Sequence, residues 1–123
     1  MNTSLISMVR HGGLGALLLA TAQLAVAHAH PTQQTPAPDA TVEAPHEVAI
    51  DFTEDLEPAF STLTVVNAAG KQVNSAKSAV DAANKKHMSA ALGDLKTGPY
   101  QVKWTAVAGD GHRTQGHYLF NVK

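Results

Sequence analysis

The sequence predicts an all-β domain, a β-sandwich of about seven short strands that follows a cleaved export signal. Three observations predict it. Apolar and polar residues alternate over short runs, and clusters of Gly, Pro, Asn and Asp separate those runs. No segment of the mature chain carries the apolar stripe of an amphipathic helix. A barrel of similar size is the rival arrangement that this pattern leaves open.

Near the start of the chain, Arg10 precedes an apolar run from Leu14 to Leu24, which is followed by Ala25-Val26-Ala27. That ending is the small-x-small pattern read by a signal peptidase. A helix from Leu14 to Ala27 would rise about 21 Å at about 1.5 Å per residue, short of the roughly 30 Å of a membrane core. Residues 1–27 are therefore expected to be a signal peptide, and residues 28–123 the mature domain. Pro31 to Pro45 reads as an extended arm and turn, because Pro36 and Pro38 lack a ladder donor.

Val48 to Thr53 alternates as a half-buried strand should, and Glu54-Asp55-Leu56-Glu57-Pro58 breaks it with an acidic loop. Phe60 to Val66 resumes β-branched strand chemistry, and Asn67-Ala68-Ala69-Gly70 has the composition of a hairpin turn. Lys71 to Asn84, polar and Ala-rich, reads as a short strand and then a loop. His87 to Leu92 is a strand closed by Gly93-Asp94. Gly98-Pro99 opens the strongest strand, with Tyr100, Val102, Trp104 and Ala106 on one face. Gly109-Asp110-Gly111 forces a tight turn, since glycine takes positive φ without steric cost. Gly116 to Val122 returns, with Tyr118 and Phe120 on one side.

Removal of 27 of the 123 residues leaves one small domain. It holds eight Lys and Arg against ten Asp and Glu, so no basic stripe exists to follow a phosphate backbone and nucleic acid is excluded. There is no cysteine, which removes disulfides and thiolate metal sites. No serine sits in a strand-turn-helix elbow, and the only Gly-rich run, Gly12-Gly13-x-Gly15, leaves with the signal. Six histidines and one methionine, Met88, remain.

Cleavage after Ala27 would give His28 a free α-amine beside its own imidazole. The two nitrogens form a chelating pair that no internal histidine can offer, because its nitrogen is locked in an amide. Asp110-Gly111-His112 places a carboxylate and an imidazole two residues apart around a glycine, at the tip of a predicted hairpin. Taken from the residues alone, a processing site ahead of two histidines and an Asp-Gly turn before an exposed histidine explain the same letters.

Taken together, these features resemble the CopC family of periplasmic copper-binding proteins. The resemblance is carried by His28-Ala29-His30, by Thr35-Pro36-Ala37-x-x-Ala40, by Val48-x-Ile50-x-Phe52-x-Glu54, and by Asp110-Gly111-His112-Arg113-Thr114-Gln115-Gly116-x-Tyr118-x-Phe120-x-Val122. It implies a Greek-key β-sandwich that binds one Cu(II), with His28, His30, Asp110 and His112 as metal ligands and Glu54 close by. It also implies a monomer without enzymatic turnover, serving copper resistance by sequestering copper or delivering it to a membrane transporter or periplasmic copper protein. Nitrogen and oxygen donors suit Cu(II), which tops the divalent affinity order. Asp110 could bind along the axis or orient an imidazole from behind. Some family members carry a methionine-rich Cu(I) site, but Ser75 to Leu92 offers only His87 and Met88, so none is expected here.

Two other readings use the same residues. A terminal-histidine brace also describes copper-dependent oxygenases, which need open coordination and a broad substrate face. Alternatively, His28-Ala29-His30 could hold copper alone, through its amine, two deprotonated amides and the His30 imidazole. His46, His87 and His117 are expected outside the site, and Trp104 in the core.

Overall fold

The computed structural model describes residues 28–123; the expected signal peptide, residues 1–27, lies outside the described residues. Eight strands follow in order: β1 (Pro31–Thr35), β2 (Thr41–Val42), β3 (Glu47–Phe52), β4 (Thr62–Asn67), β5 (Ala79–Val80), β6 (His87–Ala91), β7 (Gly98–Val107) and β8 (Arg113–Val122). They form two four-stranded sheets, β1-β3-β6-β5 and β2-β8-β7-β4. Two separate sheets make this a sandwich and rule out the single closed barrel. The chain changes sheet repeatedly, at β1→β2, β2→β3, β3→β4, β4→β5 and β6→β7, as a Greek-key sandwich requires.

Alternation puts one face of each strand inside. Val48, Ile50 and Phe52 from β3 and Met88 and Ala90 from β6 meet Leu63, Val65, Tyr100, Val102, Trp104, Ala106, Tyr118, Phe120 and Val122 from the other sheet. The β7–β8 hairpin pairs ten residues, from Gly98 with Val122 to Val107 with Arg113. This long ladder carries the Gly109-to-His112 turn at one pole of the sandwich.

Three segments depart from the sequence reading. The expected arm contains two strands: β1 pairs antiparallel with β3, and β2 runs parallel to β8. Phe60, expected to open a strand, sits in a turn and is 67% exposed, because β4 starts at Thr62. The Lys71-to-Asn84 region forms only the two-residue β5. Its polar side chains instead seal the edge of β4: Asn74 Oδ1 accepts from Val65 N–H (2.8 Å), and Ser78 Oγ accepts from Leu63 N–H (2.9 Å). Covering an open edge in this way blocks strand addition.

Gly116 is required by packing. It pairs with Trp104 across β7 and β8, and a Cβ there would lie 2.5 Å from Trp104 Cζ2. The indole lies over the glycine and meets Phe52 edge-on, with ring centroids 5.3 Å apart. Two residues on, the buried Tyr118 hydroxyl has no hydrogen-bond partner among the described residues, and burial pushes its pKa up to about 12.

Gly116→Ala is expected to destabilise the domain by about 1–3 kcal/mol through overpacking, read from urea unfolding followed by the single tryptophan. Tyr118→Phe removes an unpaired buried hydroxyl without a cavity and is expected to leave stability unchanged or raise it by about 1 kcal/mol.

Candidate metal centre

The site begins with a buried alanine. Ala29 is 0% exposed and belongs to the hydrophobic core, while His28 and His30 on either side are exposed. Burial of its methyl group leaves the Ala29 carbonyl needing a donor away from water. The Thr114 hydroxyl supplies one at 2.7 Å, across 85 positions of sequence. Thr53 secures both flanking residues. Its hydroxyl donates to His28 O (3.1 Å) and accepts from His30 N–H (3.0 Å), and its own N–H donates to His30 O (2.9 Å). The first three described residues are thus fastened to both sheets, through Thr53 after β3 and Thr114 in β8.

The opposing turn is equally well tied. Gly111 has φ +86°, which favours glycine, and its N–H donates to Ala108 O (2.9 Å). Asp110 Oδ1 accepts the His112 backbone N–H (3.0 Å), and Asp110 Oδ2 lies 2.7 Å from His112 Nδ1. An ionised carboxylate only accepts, so Nδ1 carries a proton, and in the neutral imidazole Nε2 then keeps its lone pair. The His112 backbone N–H, then its side chain, hold the Asp110 carboxyl below the usual carboxylate range.

These two pieces meet. The His28 and His112 ring centroids are 5.3 Å apart at an interplanar angle of 60°, and those of His28 and His30 are 5.9 Å apart at 40°. Metal–nitrogen bonds of about 2 Å, extended to the ring centres, let two imidazoles share an ion with centroids up to about 6 Å apart. Both separations fall inside that span. Among the described residues, however, no three His, Asp or Glu side chains already converge as a ligand set. Glu54 and Asp110 line one open recess at this pole, with Asp55, Lys86, Ala108 and Gly109.

The remaining histidines lie elsewhere. His46 sits just before β3, where its carbonyl accepts from Leu92 N–H (2.8 Å). His117 is on the exposed face of β8, opposite Lys103. His87 and Met88 face opposite sides of β6, as expected from alternation. Met88 is 0% exposed in the core, and His87 Nδ1 meets Asp51 Oδ1 at 2.7 Å across the β3–β6 ladder. Sequence reasoning missed that pair, and also Thr53, Thr114 and the burial of Ala29. Pairing register and burial depend on the partner strand, and nothing local to these residues announces them.

Comparison with known proteins places the arrangement in context. A CopC domain family model matches residues 31–123, beginning just after His30. Protein YobA of Escherichia coli (strain K12) is 37% identical over 99 residues, covering 79% of this chain and 80% of that protein. Copper resistance protein C of Escherichia coli is 34% identical over 116 residues, covering 89% and 92%. Copper transport protein CutJ of Bacillus subtilis (strain 168) is 31% identical over 98 residues, which are 78% of this chain and 18% of that protein. Among solved structures, CopC from Methylosinus trichosporium OB3b superposes with a TM-score of 0.72 at 28% identity, covering 78% of this chain and 94% of its own. PcoC, described as a methionine-rich copper resistance protein from Escherichia coli, gives 0.70 at 32% identity, covering 79% and 100%.

A depressed Asp110 pKa ties the turn to pH with a definite sign. The Asp110–His112 contacts favour the folded turn above the pKa of an unstructured aspartate, and this support is lost as pH falls through the lower folded value. In an NMR titration the Asp110 carboxyl carbon should have its midpoint below that of an unstructured aspartate. His112→Ala should move it only part of the way back, because the residue 112 backbone N–H still donates.

Proposed function

The chain belongs to the CopC family, and from that membership we propose that it is a periplasmic Cu(II)-binding protein. In this reading, export and cleavage after Ala27 produce a mature domain of residues 28–123 that starts with a free amine on His28. That amine, the His28 imidazole and His112 Nε2 hold one Cu(II), with His30 as a further ligand. Asp110 acts through His112, holding the ring so that Nε2 faces the ion. The observation that carries the reading is the approach of His28 and His112, from opposite ends of the mature chain, to a ring separation of 5.3 Å, with His112 Nδ1 already engaged by Asp110.

The donor set accounts for selectivity and release. Imidazole and amine nitrogens suit Cu(II) better than harder cations, and the brace exposes no thioether. Met88, the one methionine beyond the signal, is fully buried, so no methionine-rich Cu(I) site is assigned. Reduction to Cu(I) by an external electron donor, or a competing ligand from a partner, frees the ion. The protein therefore sequesters or delivers copper as a monomer and carries out no turnover. The relatives' names, copper resistance protein and copper transport protein, support resistance and delivery. The CutJ match, confined to 18% of a longer chain named as a copper transport protein, supports a copper transporter as recipient.

The peptide-only alternative is less well supported by the same geometry. It needs the His30 amide as a deprotonated ligand, yet that N–H is committed to Thr53 Oγ1 in the folded arm.

Intact-mass analysis of the exported protein, combined with Cu(II) titration, tests the proposal. The expected result is a terminus at His28, one ion per chain and weaker binding on acidification as protons compete for nitrogen. His112→Ala should weaken binding by roughly 100-fold or more and His30→Ala by far less. Asp110→Asn should cost roughly 10–100-fold, with no further loss when added to His112→Ala. A different or blocked terminus, or the reverse order of the His30 and His112 variants, would overturn it.

A further inference from the structure

We propose that the Pro58-Ala59-Phe60 turn is the anchor of a docking surface for the protein that accepts copper, a partner presenting an apolar socket bordered by Lys or Arg. The inference rests on the copper-binding reading above and names the face through which copper leaves.

Among the described residues, Phe60 and Leu119 are the two large hydrophobic side chains left exposed, at 67% and 49%. A single exposed apolar residue is ordinary, but Phe60 does not stand alone or loose. Pro58 and Ala59 beside it are also exposed. The turn that presents them is stitched to the end of β7. Glu57 N–H donates to Val107 O (2.7 Å), the Phe60 and Ser61 N–H groups donate to Glu57 O (3.2 and 3.1 Å), and buried Ser61 Oγ accepts Val107 N–H (3.1 Å). A bridge between Leu56 and Ala108 completes the attachment. A ring held out on such a support gives up little conformational freedom on binding, which is what an interface anchor needs.

Position links this knob to the metal centre. The residues it is stitched to, Val107 and Ala108, run directly into the turn that carries Asp110 and His112. Glu57 Oε1 lies 4.0 Å from where a Cβ on Gly109 would be. A partner seated on Phe60 is therefore brought against the copper-side turn.

Charge selects the occupant. Glu54, Asp55 and Glu57 flank the turn and outnumber Lys86, which shares a recess with Glu54 and Asp55; none of the four takes part in an ion pair among the described residues. Uncommitted carboxylates around an apolar tip complement a basic-rimmed socket. They repel an anionic lipid surface, and they would face one another if two copies of this chain met through the same face.

The test has two parts. A photoreactive benzophenone side chain at position 60 of the copper-loaded protein, illuminated in the producing cells, should give an adduct with a membrane copper-transport protein, identified by mass spectrometry. Phe60→Ala should leave Cu(II) stoichiometry, affinity and melting temperature unchanged, yet slow transfer of labelled copper to spheroplasts of the same strain by 10–100-fold. Leu119→Ala should not slow it. An adduct with a second copy, with lipid or with no protein would overturn the proposal, as would unimpaired transfer by Phe60→Ala. Failure of the unaltered protein to bind Cu(II) would instead remove the copper reading and leave the crosslink to report on docking alone.

Discussion

The arm that displays His28 and His30 depends on one small apolar contact, the burial of the Ala29 methyl group in the sandwich core. Three residues at the front of a domain ordinarily fray. Here the methyl is fully buried, the carbonyl beside it accepts from Thr114, and Thr53 bonds the residues on both sides. The two histidines are consequently displayed from a fixed backbone on either side of a buried one. An alternation that means little in a free peptide becomes geometry once its middle residue is inside.

The opposing turn solves a complementary problem. An exposed imidazole on a hairpin tip can rotate and can carry its proton on either nitrogen. Asp110 removes both freedoms by engaging the backbone and Nδ1 of His112 together, and it leaves the outward nitrogen as the available donor. Arm and turn are far apart in sequence, yet the arm is bonded to Thr53 and Thr114 and the turn closes the β7–β8 hairpin. The backbone on both sides is therefore held by the fold, which a flexible peptide cannot match. The Phe60 turn is built on the same support, the end of β7, so any surface engaging it lies against the metal pole.

Much of this was legible in the sequence. The alternation of Val48 to Phe52 and of Tyr100 to Ala106, the glycines of the 109–111 turn and the hairpin return all stand where local pattern puts them. So do the core role of Trp104 and the opposite facings of His87 and Met88. The pattern failed where structure is not locally coded. β1 and β2 look like a proline-rich arm because each is held by a distant ladder, and Phe60 reads as strand although it lies in the turn before one. The stretch that became the cover of β4 reads only as polar.

By itself the sequence determined the all-β class, the alternating core and the turn chemistry, because period and glycine positions act over a few residues. It also held His28-Ala29-His30 and Asp110-Gly111-His112, the second inside the 31–123 span that matches the CopC family model. Only the tertiary structure decided that these two short pieces face one another, that Ala29 rather than a histidine is buried between them, and that Asp110 is engaged by His112. Those outcomes depend on strand order and register across most of the mature chain. Such long-range pairing is selected by the packing of the whole core, which no local run of residues can specify.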